Sequence, residues 1–164
     1  MRYWMDADAF ISAHRGPYPL PNAVGFWAWL DSEIKSGRIV SAERVYKEVV
    51  EGRDKRDALA MWMARRKANG LCLRPNKQVD ERVREIGDYV NNNSQYPIHQ
   101  KLEFFRGADA WIIAHAWVDS GKVVTNESGN FPNSSRVRIP DVCRKFSVPF
   151  LTRNSLILEL NARF

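Results

Sequence analysis

Cysteine is scarce in this chain of 164 residues: Cys72 and Cys143 are the only two, far apart and with no C-x-x-C spacing. That excludes a disulfide-stapled scaffold or a zinc ribbon, and two reduced thiols in a cytoplasmic protein are expected instead. Histidine is nearly as scarce. His14, His99 and His115 show no H-E-x-x-H spacing, so a histidine-built metal centre is not expected; His115 reads as a hydrogen-bonded core residue. No apolar run reaches the roughly 18 residues that a membrane span needs. The N-terminus has no basic segment leading into a long apolar one, so no signal peptide and no membrane partner are expected. Internal repeats and low-complexity tracts are absent as well. Acidic residues are outnumbered, 19 against 25 basic, for a formal net charge of +6. That balance weakly favours polyanionic partners.

What is present fits a soluble globular chain, with 45% hydrophobic and 27% charged residues. The length suits one domain over residues 1–164 with a full-sized core. Residues 3–6 read as a short buried strand and 14–22 as a proline-rich loop. Asn22 is placed to cap a helix over 23–36, in which Phe26, Trp27 and Leu30 read as core or dimer contact rather than as base-stacking platforms. Residues 38–41 form a second strand; Ser41 caps a helix over 42–51 that Gly52 stops. Asp54 opens a helix over 55–69, with Asp57 three residues on, and Gly70 ends it. Residues 71–73 are a strand or a linker, and 79–92 an amphipathic helix. Residues 108–120 are apolar nearly all round, the mark of a buried helix. A strand over 122–127, a proline-led helix over 140–146, a strand over 149–151 and a closing helix over 154–164 complete the chain. Strands alternating with helices predict an α/β fold, a short parallel sheet flanked by helices on both faces.

In open sheets of this kind, ligands bind outside the carboxyl ends of the strands. Asp6 and Asp8, in "MDADAF", follow the first strand, and Glu127 follows "KVVT". Three roles suit such acids: capping a turn, holding a metal or attacking a phosphate. On the 42–51 helix the apolar stripe is Ala42, Val45, Tyr46, Val49 and Val50, and Glu48 falls about 60° outside its edge, able to lean towards a cleft. Asp109 opens the buried helix. Taken singly, Asp109 suits a helix cap, Glu48 a solvated surface and Glu127 a turn; taken together they form a set of acids. Carboxylates facing one cleft repel and raise each other's pKa, and a divalent cation with hard oxygen ligands, Mg²⁺ or Mn²⁺, is the usual remedy. Positive charge to hold a polyanion is available from Arg53, Lys55, Arg56, Arg65, Arg66 and Lys67, and from Arg136, Arg138, Arg144, Lys145 and Arg153, although any one of these also suits a solvated surface.

These stretches, in order, resemble the PIN-domain nucleases, particularly the small VapC-like toxins of toxin–antitoxin pairs. "YWMDADAFI" resembles the first strand with its acid at Asp6, and "SAERVYKEV" the second motif with its acid at Glu48. "GADAWIIAHA" is similar to the third motif, with Asp109, and is the most specific of the four. "VVTNE" resembles the fourth, with Glu127. "RIPDVCRKFSV" and the aromatic "FWAWL" are similar to a less studied branch of the family. The resemblance implies a three-layer PIN-like fold and an endoribonuclease in which Asp6, Glu48 and Asp109 hold Mg²⁺ or Mn²⁺ and Glu127 completes the site or binds a second ion. A water acidified by the ion would attack the RNA phosphodiester in line. Thr125 and Asn126 would orient a carboxylate or water. An antitoxin partner and a homodimer are further implications.

Two positions depart from the family pattern: Asp8 replaces a usual Asn or Ser, and Glu127 a usual Asp. Asp8 is then an added outer ligand or a turn-former, and Asp141 a possible supplement to the fourth acid. Two other readings stand beside this one. A non-catalytic RNA- or partner-binding module would use the basic charge without the acids. A phosphatase of the haloacid dehalogenase type would use "DADAF" as nucleophile and acid/base, but it leaves Glu48 without a role.

Overall fold

Tyr3, Trp4 and Met5 form the first strand, β1 (Tyr3–Met5), and all three side chains are buried, as in a strand covered on both faces. The structure, a computed structural model, describes residues 1–51, 54, 56–129 and 133–164. After β1 come α1 (Ala7–Arg15), α2 (Val24–Lys35), β2 (Ile39–Ala42), α3 (Glu43–Glu51), α4 (Ala58–Lys67), β3 (Cys72–Leu73) and α5 (Lys77–Asn92). Then follow α6 (Ile98–Arg106), α7 (Asp109–Val118), β4 (Lys122–Val124), α8 (Ile139–Lys145), β5 (Phe150–Leu151) and α9 (Arg153–Glu159).

Among the described residues, five strands make one sheet in the order β3-β2-β1-β4-β5, and their pairings are all parallel. Trp4 lies in register with Val40 on one side and Val123 on the other. The chain steps outward from β1 through β2 to β3, then returns to start β4 against the opposite edge of β1. The carboxyl ends of β1 and β4 therefore flank the point where strand order reverses, the expected place for a ligand crevice.

Alternation along β1 sorts the layers. The Trp4 ring stacks on His115 of α7, with centroids 4.6 Å apart, and its indole N–H donates to Asp119 at 3.0 Å. Tyr3 points to the other face, where its hydroxyl donates to Glu159 of α9 at 2.8 Å. Helix α7 packs on β1, β2 and β4 and carries α5 on its outer side. Its buried residues include Ile112, Ile113 and Ala114, and each isoleucine taken from water contributes about 1.5–3 kcal/mol. On α2, Phe26, Trp27 and Leu30 are core residues. The result is the three-layer α/β arrangement, with a short parallel sheet between helices, that the resemblance implied.

Local details differ from the sequence reading. Residues 7–15 and 98–106 are helices that the sequence pattern did not mark. Asn22 does not cap α2, whose N-cap is Ala23 with no side-chain cap bond. Ser41 belongs to β2, and its hydroxyl donates to the Met5 carbonyl at 2.6 Å instead of capping α3. Asp57 rather than Asp54 caps α4, accepting from the Ala60 N–H at 3.0 Å. Helix α5 starts two residues early, capped by Asn76. The fourth strand ends at Val124 and the last helix at Glu159. Gly37 and Gly70 do follow their helices with positive φ, 74° and 83°, conformations that glycine takes at little cost. His115 is a core residue held by its ring stack; among the described residues its ring makes no hydrogen bond of the kind expected. Gly52, the expected helix stop, lies outside the described residues.

Candidate metal centre

Asp6 follows β1 directly and caps α1: its Oδ1 accepts the Ala9 N–H at 2.7 Å. It is 3% exposed. Burial raises its pKa well above the ordinary carboxyl range; hydrogen bonds from the Thr125 hydroxyl and the Ala9 N–H oppose the rise, while Asp109 and Asp8 add to it. Thr125, immediately after β4 and 1% exposed, thus donates to Asp6 and accepts the Glu127 N–H at 3.1 Å. One hydroxyl joins the ends of the two central strands.

The other acids come from three further places in the chain. Asp109 is the first residue of α7. Its carboxyl is raised to about 7 by burial first, then by Glu127 and Glu48, with Arg136 pulling the other way. Glu48 leans off α3, as the stripe argument required, and its Oε2 accepts the Ala108 N–H at 3.1 Å. Glu127 Oε2 accepts the Ile139 N–H at 2.8 Å, the first amide of α8, which the N-cap residue Arg138 does not cap with its side chain. Its Oε1 stands 3.5 Å from the Arg136 guanidinium.

Asp6, Asp8, Glu48, Asp109 and Glu127 line one cleft of about 460 Å³, with Arg136 at its margin. Asp8 sits exposed in the first turn of α1. The cleft's remaining wall includes Gln100, Glu103 and Phe104 of α6, which the sequence reading missed. Pro97 followed by nine residues free of glycine and proline was the available signal.

Two expected residues stand elsewhere. Asn126 turns away from the acids: its Nδ2 donates to Ser12 at 2.8 Å and its Oδ1 accepts the Arg153 N–H at 3.2 Å. Rather than orienting a carboxylate or water, it ties α1 to the start of α9. Asp141 pairs with Arg144 at 2.9 Å on α8 and does not line the cleft.

Among the described residues, no three carboxylate, imidazole or thiol groups are close enough to hold one ion as they stand. The contacts give the reason. Oxygens of Asp6, Glu48 and Glu127 each rest on a backbone N–H, which offsets part of their mutual repulsion. The donor set is nonetheless all oxygen and acidic, and its crowding shows in the raised Asp109 carboxyl. This chemistry fits a hard divalent cation such as Mg²⁺ or Mn²⁺.

Comparison with curated proteins finds no match, and comparison with solved structures finds none. The chain belongs to the family described as a domain of unknown function (DUF4411), whose model matches residues 3–164.

Proposed function

We propose that this protein is a metal-dependent endoribonuclease of the PIN type, acting as the toxin of a toxin–antitoxin pair in the cytoplasm. One observation carries the reading: Asp6, Glu48, Asp109 and Glu127, from four separate stretches of chain, line a single cleft at the switch point of a parallel sheet. Asp6, Glu48 and Asp109 would hold Mg²⁺ or Mn²⁺, with Glu127 completing the site or holding a second ion and Asp8 at its open edge. When bound, such an ion supplies Lewis acidity at a phosphoryl oxygen and lowers the pKa of water.

The chain's own residues prepare this chemistry. Thr125 holds the Asp6 carboxylate and the Glu127 backbone in one relation. The Ala9 N–H anchors one oxygen of Asp6. Arg136 offsets the acids next to Glu127 and can donate charge-assisted hydrogen bonds to a phosphate oxygen. The phosphatase reading has less support. Asp6 is buried and anchored as a helix cap, and among the described residues no lysine lines the cleft to steady a phosphoenzyme.

Purified protein incubated with RNA should cut it in Mg²⁺ or Mn²⁺ and stop in EDTA, and Asp6→Asn or Asp109→Asn should abolish cutting and relieve growth arrest on expression. Cleavage that persists in EDTA, or variants as toxic as the parent, would sink the proposal. A small neighbouring gene for a DNA-binding antitoxin tests the biological role.

A further inference from the structure

The basic surface expected on α4 is largely committed elsewhere. Arg66 donates to Asp31 at 2.8 Å, and Lys67 lies over the Tyr46 ring at 4.5 Å. On the C-terminal side, Arg144 pairs with Asp141, and Arg153 is buried against α1, donating to Ser12 at 3.0 Å. Arg53 and Lys55 lie outside the described residues.

Cations gather instead beside the acid cleft. A second depression of about 230 Å³ is lined by Arg44, Lys47, Glu48, Glu51, Arg106 and Gly107. It shares Glu48 and Gly107 with the acid cleft, so the two adjoin on either side of the Glu48 side chain. Its three cations come from α3 and the last turn of α6. Arg44, Lys47 and Arg106 are exposed, and among the described residues none forms an ion pair. Arg44 is steadied by the Trp111 ring, 5.7 Å from its guanidinium carbon, on the same helix as Asp109. Of the two acids present, Glu48 is turned onto the Ala108 N–H, leaving Glu51 against three positive charges. The acid cleft has the reverse balance, with Arg136 and Arg138 against six carboxylates.

We infer that the depression formed by Arg44, Lys47 and Arg106 is a phosphate-binding subsite for single-stranded RNA, holding a backbone phosphate next to the one placed over the acids. It rests on the reading of RNA as the substrate. A polyanion cannot settle against excess carboxylate without compensation, and this subsite supplies it one step along the strand. The strand enters over Glu48, which separates the two depressions.

The test measures binding of a short, unstructured single-stranded RNA against salt, in an Asp109→Asn background that does not cut it. Each neutralised phosphate adds about 0.7 to the slope of log affinity on log salt for a single strand. Arg44→Gln/Lys47→Gln/Arg106→Gln, which gives up that one phosphate, should therefore shallow the slope by about 0.7. Lys47→Gln/Arg106→Gln, which leaves the Arg44–Trp111 contact intact, should shallow it in the same direction, by no more than about 0.7. Lys77→Gln/Arg84→Gln/Arg163→Gln removes the same charge from exposed positions elsewhere and should leave the slope as it was. Equal slopes for subsite and control triples overturn the subsite, as does an absence of RNA binding. A parent protein that binds RNA with these slopes but never cuts it overturns the nuclease reading and leaves the subsite standing.

Discussion

Burial, together with Glu127 and Glu48, raises the Asp109 carboxyl from 3.8 to about 7. The sign of its effect on stability follows. Between those values the folded protein keeps a proton that the unfolded chain releases, so the stabilisation is complete below pH 3.8 and lost as pH rises through 7. Asp109→Asn removes the titration. In EDTA, the urea midpoint of the parent should fall between pH 5 and pH 8 more than that of the variant, while the variant loses cleavage in Mg²⁺. Parallel midpoints would show that Asp109 is not held protonated by its neighbours. On the proposed function the site would trade stability for activity at this scale, since an acid placed for a cation is a liability without one.

At the scale of elements, the joint between α7, β1 and β4 does most to place the cleft. His115 is pushed down from 6.5 to about 4, by burial first. The unfolded chain therefore takes up the proton sooner as pH falls, and stability contributed by the neutral ring is lost from pH 6.5 downward to 4. This trend opposes that of Asp109 in the same window. His115→Phe keeps the stack on Trp4 and should flatten the acid limb; denaturant midpoints of the two proteins at pH 7 and pH 4.5 give the difference directly. The turn after α7 is equally tight. Ser120 has φ 52°, and a Cβ on Gly121 would come within 2.7 Å of the Arg2 carbonyl oxygen and 2.9 Å of the Trp4 ring. Gly121→Ala should destabilise the protein by about 1–3 kcal/mol, the usual cost of overpacking, read from urea unfolding. An unchanged midpoint would mean that this turn yields easily.

For the whole molecule, the proposed metal site would tie folding to cation binding through the excess acid in the cleft. An ion that binds the folded cleft and not the unfolded chain stabilises by RT ln(1 + [L]/Kd), about 2.7 kcal/mol at a hundredfold excess over Kd. Mn²⁺ should raise the melting temperature of the parent at pH 8, with little effect on Asp6→Asn/Asp109→Asn. A cation shift of the same size in that double variant would place binding elsewhere. No described helix is long and apolar enough to cross a membrane.

Much of this was legible in the sequence because it depends on near neighbours. The alternation of apolar runs with helical periodicity specifies an α/β fold, as in β1 and α7. A short strand followed at once by Asp6, the angle of Glu48 off its stripe and the acid opening α7 can all be read locally. Helices α1 and α6 were not: α1 starts directly after β1 with Asp6, read as a site acid, as its cap, and α6 opens after Pro97 with no side-chain cap bond. What only the tertiary structure decided depends on distant partners. Sheet order brings Asp6 beside Thr125, 119 positions on. It puts Glu127 on the Ile139 N–H, turns Asn126 towards Ser12, pairs Asp141 with Arg144 and leaves Arg44, Lys47 and Arg106, rather than the cations of α4, beside the acids. Charges choose partners by separation in space, and that separation exists only once the strands are in register and the helices are packed on them.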